Sequence, residues 1–417
     1  VTDHGVLWLP RQNILPSTRL MPVIVERPAL ERRVTSSLEA GRIPVLLGGC
    51  GSGRTSLLLR LEFLLGRDRT QYLDIAAAAT TPERCLSAVR GVTRLNPPPA
   101  DISTITTTRS AADALLAYFD HAQGVDGPPT FLLDEFLDVR TFESFPGLRH
   151  IQRELVARLA ASPAHFVLAS RFTARVHRLL RDAPARFEVI HMPPLDSADV
   201  QSMAQLFVGE RRTWAADVAP AVAVLSGGLP AAAHILLNGL ASMGPATDPV
   251  AALAAAIAPD GALTARCRES YELRLHRARG YGALKAILSV LADTEPLNLT
   301  EIAHQLRRTP GSTKDYLSWL EDVDLITVRA KRYAFTDPLI RLYVRLYGRP
   351  VPPTDDEVVR EVGIFAKARL PFATPAAVAD PPAPAAAVVA ATRARATQAT
   401  ANDAGADSAR SGIIEID

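Results

Sequence analysis

At 417 residues the chain is too long for one ordinary hydrophobic core, and two or three domains are expected. An apolar share of 48% with 22% charged residues places it among soluble globular proteins, and a net charge of +2 is too small to argue for a nucleic-acid partner by itself. Cys50, Cys85 and Cys267 are scattered without metal-ligand spacing, which speaks against a disulfide framework or a zinc site. Val1 to Met21 carries Pro10, Pro16 and several charges but no apolar signal core. No run of about 18 apolar residues occurs, so a cytoplasmic chain without a membrane span is expected.

Residues 1–22 read as an extended arm. A helix is expected to begin within Ile24 to Arg33, with Pro28 suited to its first turn and Gly41 ending it. An apolar strand, Ile43 to Leu47, then opens into Gly48-Gly-Cys-Gly-Ser-Gly-Arg-Thr55 and a leucine-dense helix from about Thr55 to Leu65. Gly48 and Gly53 bracket four residues, the G-x-x-x-x-G-K-[ST] spacing of a phosphate-binding loop with Arg54 where lysine is expected. Glycines let consecutive N–H groups converge on phosphate oxygens without Cβ clashes, and the next helix points its positive end at the same anion. Gly48, Gly49, Gly51, Ser52, Gly53, Arg54, Thr55 and Ser56 are therefore the candidate nucleotide-binding residues. The plainer alternative is a glycine-rich strand-to-helix turn. Cys50, inside the loop, is either an oxidation-sensitive thiol or a small residue filling a loop position.

A second strand is expected at Gln71 to Ile75 and a helix start at Thr80 to Glu83. Pro97-Pro-Pro99 and the threonine-rich stretch 103–108 mark a loop, after which Ser110 caps a helix through Phe119. Thr130-Phe-Leu-Leu-Asp-Glu-Phe136 has buried-strand character and ends in two acids. Beside a phosphate loop, Asp134 would hold Mg²⁺ through water, with Thr55 as the other candidate metal residue, and Glu135 would orient or deprotonate the attacking water. The alternative is a strand end whose acids cap a turn. After a helix around 148–161, a buried strand at His165 to Ala169 ends in Ser170-Arg171, which faces the ligand crevice of an open parallel sheet. Arg171 is a candidate for reading the γ-phosphate, or else a solvent-facing loop arginine. A last strand at Phe187 to Ile190 completes a mostly parallel α/β core over 23–195.

From Asp196 helical spacing takes over, and 196–262 reads as a small helical lid. Within it, Leu225-Ser-Gly-Gly-Leu-Pro230 leads into an apolar helix, Ala231 to Leu237. These residues either break one helix and start another, or set a helix start beside the nucleotide. In 263–348, helices are expected at 281–292, at 300–307 with Thr300 as cap, and at 312–322. Strands follow at Leu325 to Arg329 and Arg332 to Phe335. Three helices and a hairpin make a winged helix. Its third helix, the usual groove reader, carries Lys314 but also Asp315, Glu321 and Asp322. The basic residues lie instead at Arg307, Arg308, Arg329, Lys331 and Arg332, which is mixed evidence for duplex DNA. Residues 349–373 read as a linker and 374–417 as a disordered Ala/Pro/Thr-rich tail. The tail closes on Gly412-Ile-Ile-Glu-Ile-Asp417, which either adds to a partner's sheet edge or is a meaningless end.

With these pieces in order, the chain resembles the AAA+-like ATPases of the STAND and archaeal-ATPase group, relatives of origin-recognition initiators. The resemblance covers roughly residues 23–345. It rests on Gly48 to Thr55, Leu132-Leu-Asp-Glu135, Ala169-Ser-Arg171, Gly227-Gly-Leu-Pro230 and the winged helix ending in Phe335-Thr-Asp-Pro338. It implies a P-loop NTPase sheet flanked by helices, then a helical lid and a winged-helix domain, with ATP and Mg²⁺ as cofactors. It also implies Arg171 as the sensor arginine and Gly228 to Pro230 as the lid motif touching nucleotide. Members are typically switches that close on ATP and relay that state through the winged helix to effector regions, DNA or partner proteins.

Arg54 departs from the family pattern. Arginine is longer, planar and always protonated, so it can pair with phosphate, yet hydrolysis depends on fine positioning and slow turnover is expected. Three functions follow as expectations. The first is an ATP-binding, slowly hydrolysing switch that acts by changing shape or by self-assembly, relaying ATP/ADP state to a protein partner. The second is an ATP-gated DNA-binding factor of the initiator or transposition-regulator kind. The third is a scaffold in which bound nucleotide is structural.

Overall fold

All five side chains of Ile43–Leu47 (β1) are buried, as in a parallel strand covered on both faces. The computed structural model describes residues 26–370 apart from 93–94, 96–104, 125–126, 209–213, 244–247, 277 and 279. The expected arm, the Pro97–Pro99 loop and the expected tail with its isoleucine-rich end lie outside the described residues. Before β1, Pro28–Glu39 (α1) starts on its proline, which lacks the N–H that a first helical turn leaves unbonded. After β1 come Arg54–Leu65 (α2), Thr70–Asp74 (β2), Ile75–Ala78 (α3), Pro82–Val92 (α4) and Thr108–His121 (α5). Thr130–Asp134 (β3) runs into a 3-10 segment, Phe136–Ser144. Ile151–Ala161 (α6), His165–Ser170 (β4), Thr173–Leu179 (α7) and Phe187–His191 (β5) follow.

The five strands form one parallel sheet in the order β2-β3-β4-β1-β5. Alternation along the strands feeds two cores. Leu46, Leu132 and Val167 pack under Leu30 and Val34 of α1 and Leu57, Leu58 and Leu61 of α2. Val45, Phe131, Leu133 and Phe166 face the other way, against Leu115, Phe119 and Leu155. There Phe131 and Phe166 stack with centroids 5.5 Å apart. Because β3, β4 and β1 are neighbours, the segments that leave their C-terminal ends emerge side by side at one edge of the sheet.

Ser197–Val208 (α8), Val218–Leu225 (α9), Pro230–Met243 (α10) and Pro249–Ile257 (α11) follow, then Ala262–Leu275 (α12) and Tyr281–Asp293 (α13). Leu297–Asn298 (β6), Leu299–Gln305 (α14), Pro310–Asp322 (α15), Ile326–Arg329 (β7) and Arg332–Phe335 (β8) come next, with β8 antiparallel between β6 and β7. Pro338–Tyr347 (α16) and Asp355–Lys367 (α17) end the described chain. One continuous core runs from Leu195 to Ala366, so the stretches expected as lid and as three-helix module share their packing.

Several local expectations are corrected. Thr107, not Ser110, caps α5, in a reciprocal capping box with Ser110 as its third residue. Asn298, not Thr300, caps α14, closing a box with Glu301. The expected linker contains α17, which Thr354 and Glu357 cap in the same way. The helices α12 and α16 and the short strand β6 were not anticipated.

Candidate functional site

The loop between β1 and α2 holds the backbone shape its glycines permit. Gly51 and Gly53 have φ of 75° and 87°, values that a side chain would strain. Gly53 caps α2 without a side-chain acceptor, so the first N–H groups of that helix are left for a ligand or water. The Gly51 carbonyl accepts from the Ala231 N–H at 3.2 Å, which ties the loop to the start of α10. A cleft of about 450 Å³ opens here, within the range of small-molecule sites. Gly51, Ser52, Gly53, Arg54, Thr55, Ser56 and Pro230 line it among the expected residues.

The cleft wall also includes Arg27, Glu31, Met203 and His234, none of which was expected. The Arg27 guanidinium donates to the carbonyls of Pro193 (2.6 Å) and Pro194 (3.3 Å). The signal that could have found it is its position, immediately before the proline that opens α1. Gly48, Gly49 and Gly228 do not line the cleft, and neither do Asp134, Glu135 and Arg171. Gly228 has φ of 66°, and a Cβ there would sit 2.5 Å from that of Pro194, so its role is to bring the turn before α10 against Pro194 and Leu195.

At the sheet edge β3 delivers its two acids to the loop. The Thr55 hydroxyl donates to Asp134 Oδ2 at 2.6 Å, and the Tyr72 hydroxyl donates to the same oxygen at 3.1 Å. Hydroxyl and carboxylate oxygens are the ligands Mg²⁺ prefers, so this pair fits the metal expected there. Glu135 has φ of 50°, an uncommon value for a side-chain-bearing residue, and it turns its carboxylate back toward the loop.

Arg54 is buried, and its guanidinium spans two elements. Nη1 donates to the Gly49 carbonyl at 2.8 Å and to Ser52 Oγ at 3.3 Å, while Nη2 bonds Glu135 Oε1 at 2.6 Å. Its Nε, also buried, has no partner. Arg171, at the end of β4, meets the other carboxylate oxygen of Glu135 through its backbone N–H (3.1 Å) and its Nε (3.3 Å), and its Nη2 bonds Asp138 at 3.1 Å. Burial works against the Arg171 charge, but Glu135 and Asp138 outweigh it and hold its pKa above the ordinary value. Burial raises the Asp138 carboxyl, against the opposing pull of Arg171. Glu135 is thus clamped between two arginines, which sequence spacing did not foretell.

Neither a family model nor a curated protein sequence matches the chain. Solved structures do. A Walker-type ATPase of Pyrococcus abyssi is similar over 77% of this chain and 96% of its own, at 17% identity and a TM-score of 0.59. The Holliday-junction branch-migration motor RuvB of Thermotoga maritima is more distant, at 12% identity and a TM-score of 0.39 over 75% of this chain and 93% of its own. A STAND protein with a tetratricopeptide-repeat sensor from Pyrococcus horikoshii stands at 14% and 0.33, over 84% of this chain and 46% of its own. At such identities the likeness is one of fold. The parallel five-stranded sheet with its flanking helices is that of P-loop ATPases.

Proposed function

We propose that the protein is an ATP-binding switch that hydrolyses its nucleotide slowly and with Mg²⁺. The Thr55–Asp134 contact carries the reading, because it sets a buried carboxylate against a hydroxyl that lines a cleft of nucleotide size at a helix N-terminus. In the proposal, the phosphates lie on the N–H groups of Gly51 to Ser56, and Thr55 and Asp134 would hold Mg²⁺, which would neutralise phosphate charge. Pro230 and the start of α10 close over the nucleotide from the helical side.

Arg54 gives the slow turnover a physical cause. A phosphate oxygen competes with Glu135 for the same guanidinium, so nucleotide entry and release of the Glu135 carboxylate are one exchange of partners. While Glu135 stays paired with Arg54 and Arg171, both of its carboxylate oxygens are engaged and it is not free to orient an attacking water. Bound nucleotide must therefore loosen the clamp before chemistry proceeds. That linkage suits a switch better than a fast enzyme. The output runs from the lid into the α13–β8 module, which we read as a winged helix, and on to a protein partner or another copy of the chain.

The test separates bound from hydrolysed nucleotide in purified protein given Mg²⁺ and labelled ATP. Turnover that disappears in Glu135→Gln while binding persists is the expected result. Absence of binding at millimolar nucleotide, in the wild type and in Arg54→Ala alike, sinks the reading.

The β7–β8 turn supports a second reading, ATP-gated binding of duplex DNA. Arg329 and Lys331 are exposed there, on a two-residue turn in which Ala330 and Lys331 both have positive φ. Salt-dependent duplex binding that weakens in Arg329→Ala/Lys331→Ala is its signature. No binding at low salt dismisses it.

A further inference from the structure

The helix α12 carries two stripes at four-residue spacing. Leu263, Cys267, Tyr271 and Leu275 enter the C-terminal core. One position before each of the last three stand Arg266, Ser270 and Arg274, and this polar stripe grips a single residue of the glycine-rich loop. An Arg266 Nη donates to the Cys50 carbonyl and Arg274 Nη2 lies 3.9 Å from the Cys50 Sγ, with Ser270 buried between them on the stripe. The fit is close, since a side chain at Gly51 would collide with the Arg266 guanidinium.

Arg274 also reaches the other way. It is 5% exposed, and its Nη1 donates at 3.3 Å to the backbone carbonyl of Asp324, at the corner between α15 and β7. That corner is docked on the sheet domain as well. Asp324 Oδ1 accepts from the Ala174 N–H in the first turn of α7, and Asp322 pairs with Arg178. A buried guanidinium is costly to desolvate, so packing alone does not account for its placement between a loop and a corner. Its fork is rigid and planar, so one end cannot follow a moving loop without pulling the other.

We propose that Arg274 is a positioning residue that couples the glycine-rich loop, through Cys50, to the α15–β7 corner of the C-terminal module. The proposal builds on the nucleotide reading, since it names the route by which the loop's state leaves the site. The chemistry of the three thiols agrees with it. Burial pushes Cys85 and Cys267 up to about 12. Burial raises Cys50 too, yet its thiol is shifted below the ordinary value because Arg274 and Ser270, with Arg171 and Arg54 beyond, outweigh that effect. A thiol probe therefore reads Cys50 selectively.

The experiment uses the full chain without nucleotide first. Iodoacetamide alkylation of Cys50 is followed across pH in the wild type, Arg274→Gln and Arg274→Lys, with hydrogen exchange at 323–336 measured before and after alkylation. Arg274→Gln is expected to slow Cys50 alkylation about tenfold near neutral pH. Arg274→Lys keeps the charge and most of the volume and so keeps the pH profile. Alkylating Cys50 in the wild type should speed exchange at 323–336, and in Arg274→Lys it should not, because the fork is gone. The second arm adds Mg²⁺ and ATP, with 323–336 expected to change in the wild type only. An alkylation-induced change at 323–336 that survives in both variants overturns the coupling, as does a wild type in which that segment ignores the loop. Failure of ATP to bind while the alkylation results hold leaves the coupling standing and removes the nucleotide reading.

Discussion

The sheet edge and the β7–β8 hairpin both concentrate charge, but they place it differently. At the edge, Arg54, Glu135 and Arg171 are buried or nearly so and meet within 3.3 Å, with Asp134 buried beside them against Thr55 and Tyr72. On the hairpin, Arg329, Lys331 and Arg332 are exposed, and Arg332 meets Glu301 at 3.7 Å across solvent. Buried charge is costly to keep unless it is fully paired, whereas exposed charge costs almost nothing and stabilises little. A cluster retained against that cost is therefore a stronger pointer to chemistry than a basic surface of equal size.

The contrast breaks first at Glu135. Glu135→Leu leaves Arg54 and Arg171 facing each other without their shared carboxylate. A loss of about 3 kcal/mol is expected in denaturant unfolding. Glu135→Gln keeps the shape and one acceptor oxygen and should lose less. If Glu135→Leu is as stable as the wild type, the clamp is not the tight pairing described above.

Next in size is Gly228→Ala. The positive φ and the contact with Pro194 and the Leu195 carbonyl both oppose a side chain, so about 2 kcal/mol or more is expected. Because this turn sets the start of α10 beside the loop, nucleotide binding should weaken along with stability. Gly41→Ala has a similar φ but open space around it and serves as the control.

Much of the sheet and half of the site were legible in the sequence, for one physical reason. A strand buried on both faces must be apolar throughout, so β1, β3 and β4 stand out, and the residues following them had to converge on one edge. Gly51, Gly53, Thr55 and Asp134 could be placed because backbone sterics and metal chemistry restrict which residues fit. The clamp on Glu135 was not legible, because nothing in spacing says which acid an arginine will choose. The helix α12 was missed because it violates the usual pattern of a polar face toward solvent. Arg266, Ser270 and Arg274 are its inward polar stripe, with meaning only against Cys50, 216 residues from Arg266 along the chain. Caps were misjudged by short shifts where neighbouring residues offered rival oxygens, as Thr107 and Ser110 do.

A smaller effect is expected at Asp324, on the corner that joins the two regions. Burial raises its carboxyl from 3.8 to about 6, against opposing hydrogen bonds from Ala174 and Thr173 and the charges of Arg274 and Arg175. The folded chain then holds this proton more tightly than the unfolded chain. Its contribution is greatest at acid pH and is lost as pH rises from about 4 through about 6. Asp324→Asn, which cannot ionise, should gain roughly 1 kcal/mol over the wild type at pH 7 and nothing near pH 4. A wild-type-minus-variant difference that is flat across this range would show that the Arg274 and Arg175 charges already compensate the carboxylate.

The smallest effect belongs to the hairpin tip and is the sharpest test of the contrast. Ala330 and Lys331 both have positive φ, 49° and 62°, which glycine adopts without strain. Ala330→Gly/Lys331→Gly therefore trades relief of strain against greater freedom of the unfolded chain, and stability should stay within about 0.5 kcal/mol. Arg329→Ala should be equally silent in unfolding, because its charge is solvated. Silence in stability is what gives these variants their value: any change they cause in duplex binding or in ATP-dependent output must come from the surface they present. If they destabilise the fold by more than 1 kcal/mol, the hairpin is held by contacts as tight as those at the sheet edge. The distinction between a region built for chemistry and a region built for presentation then fails.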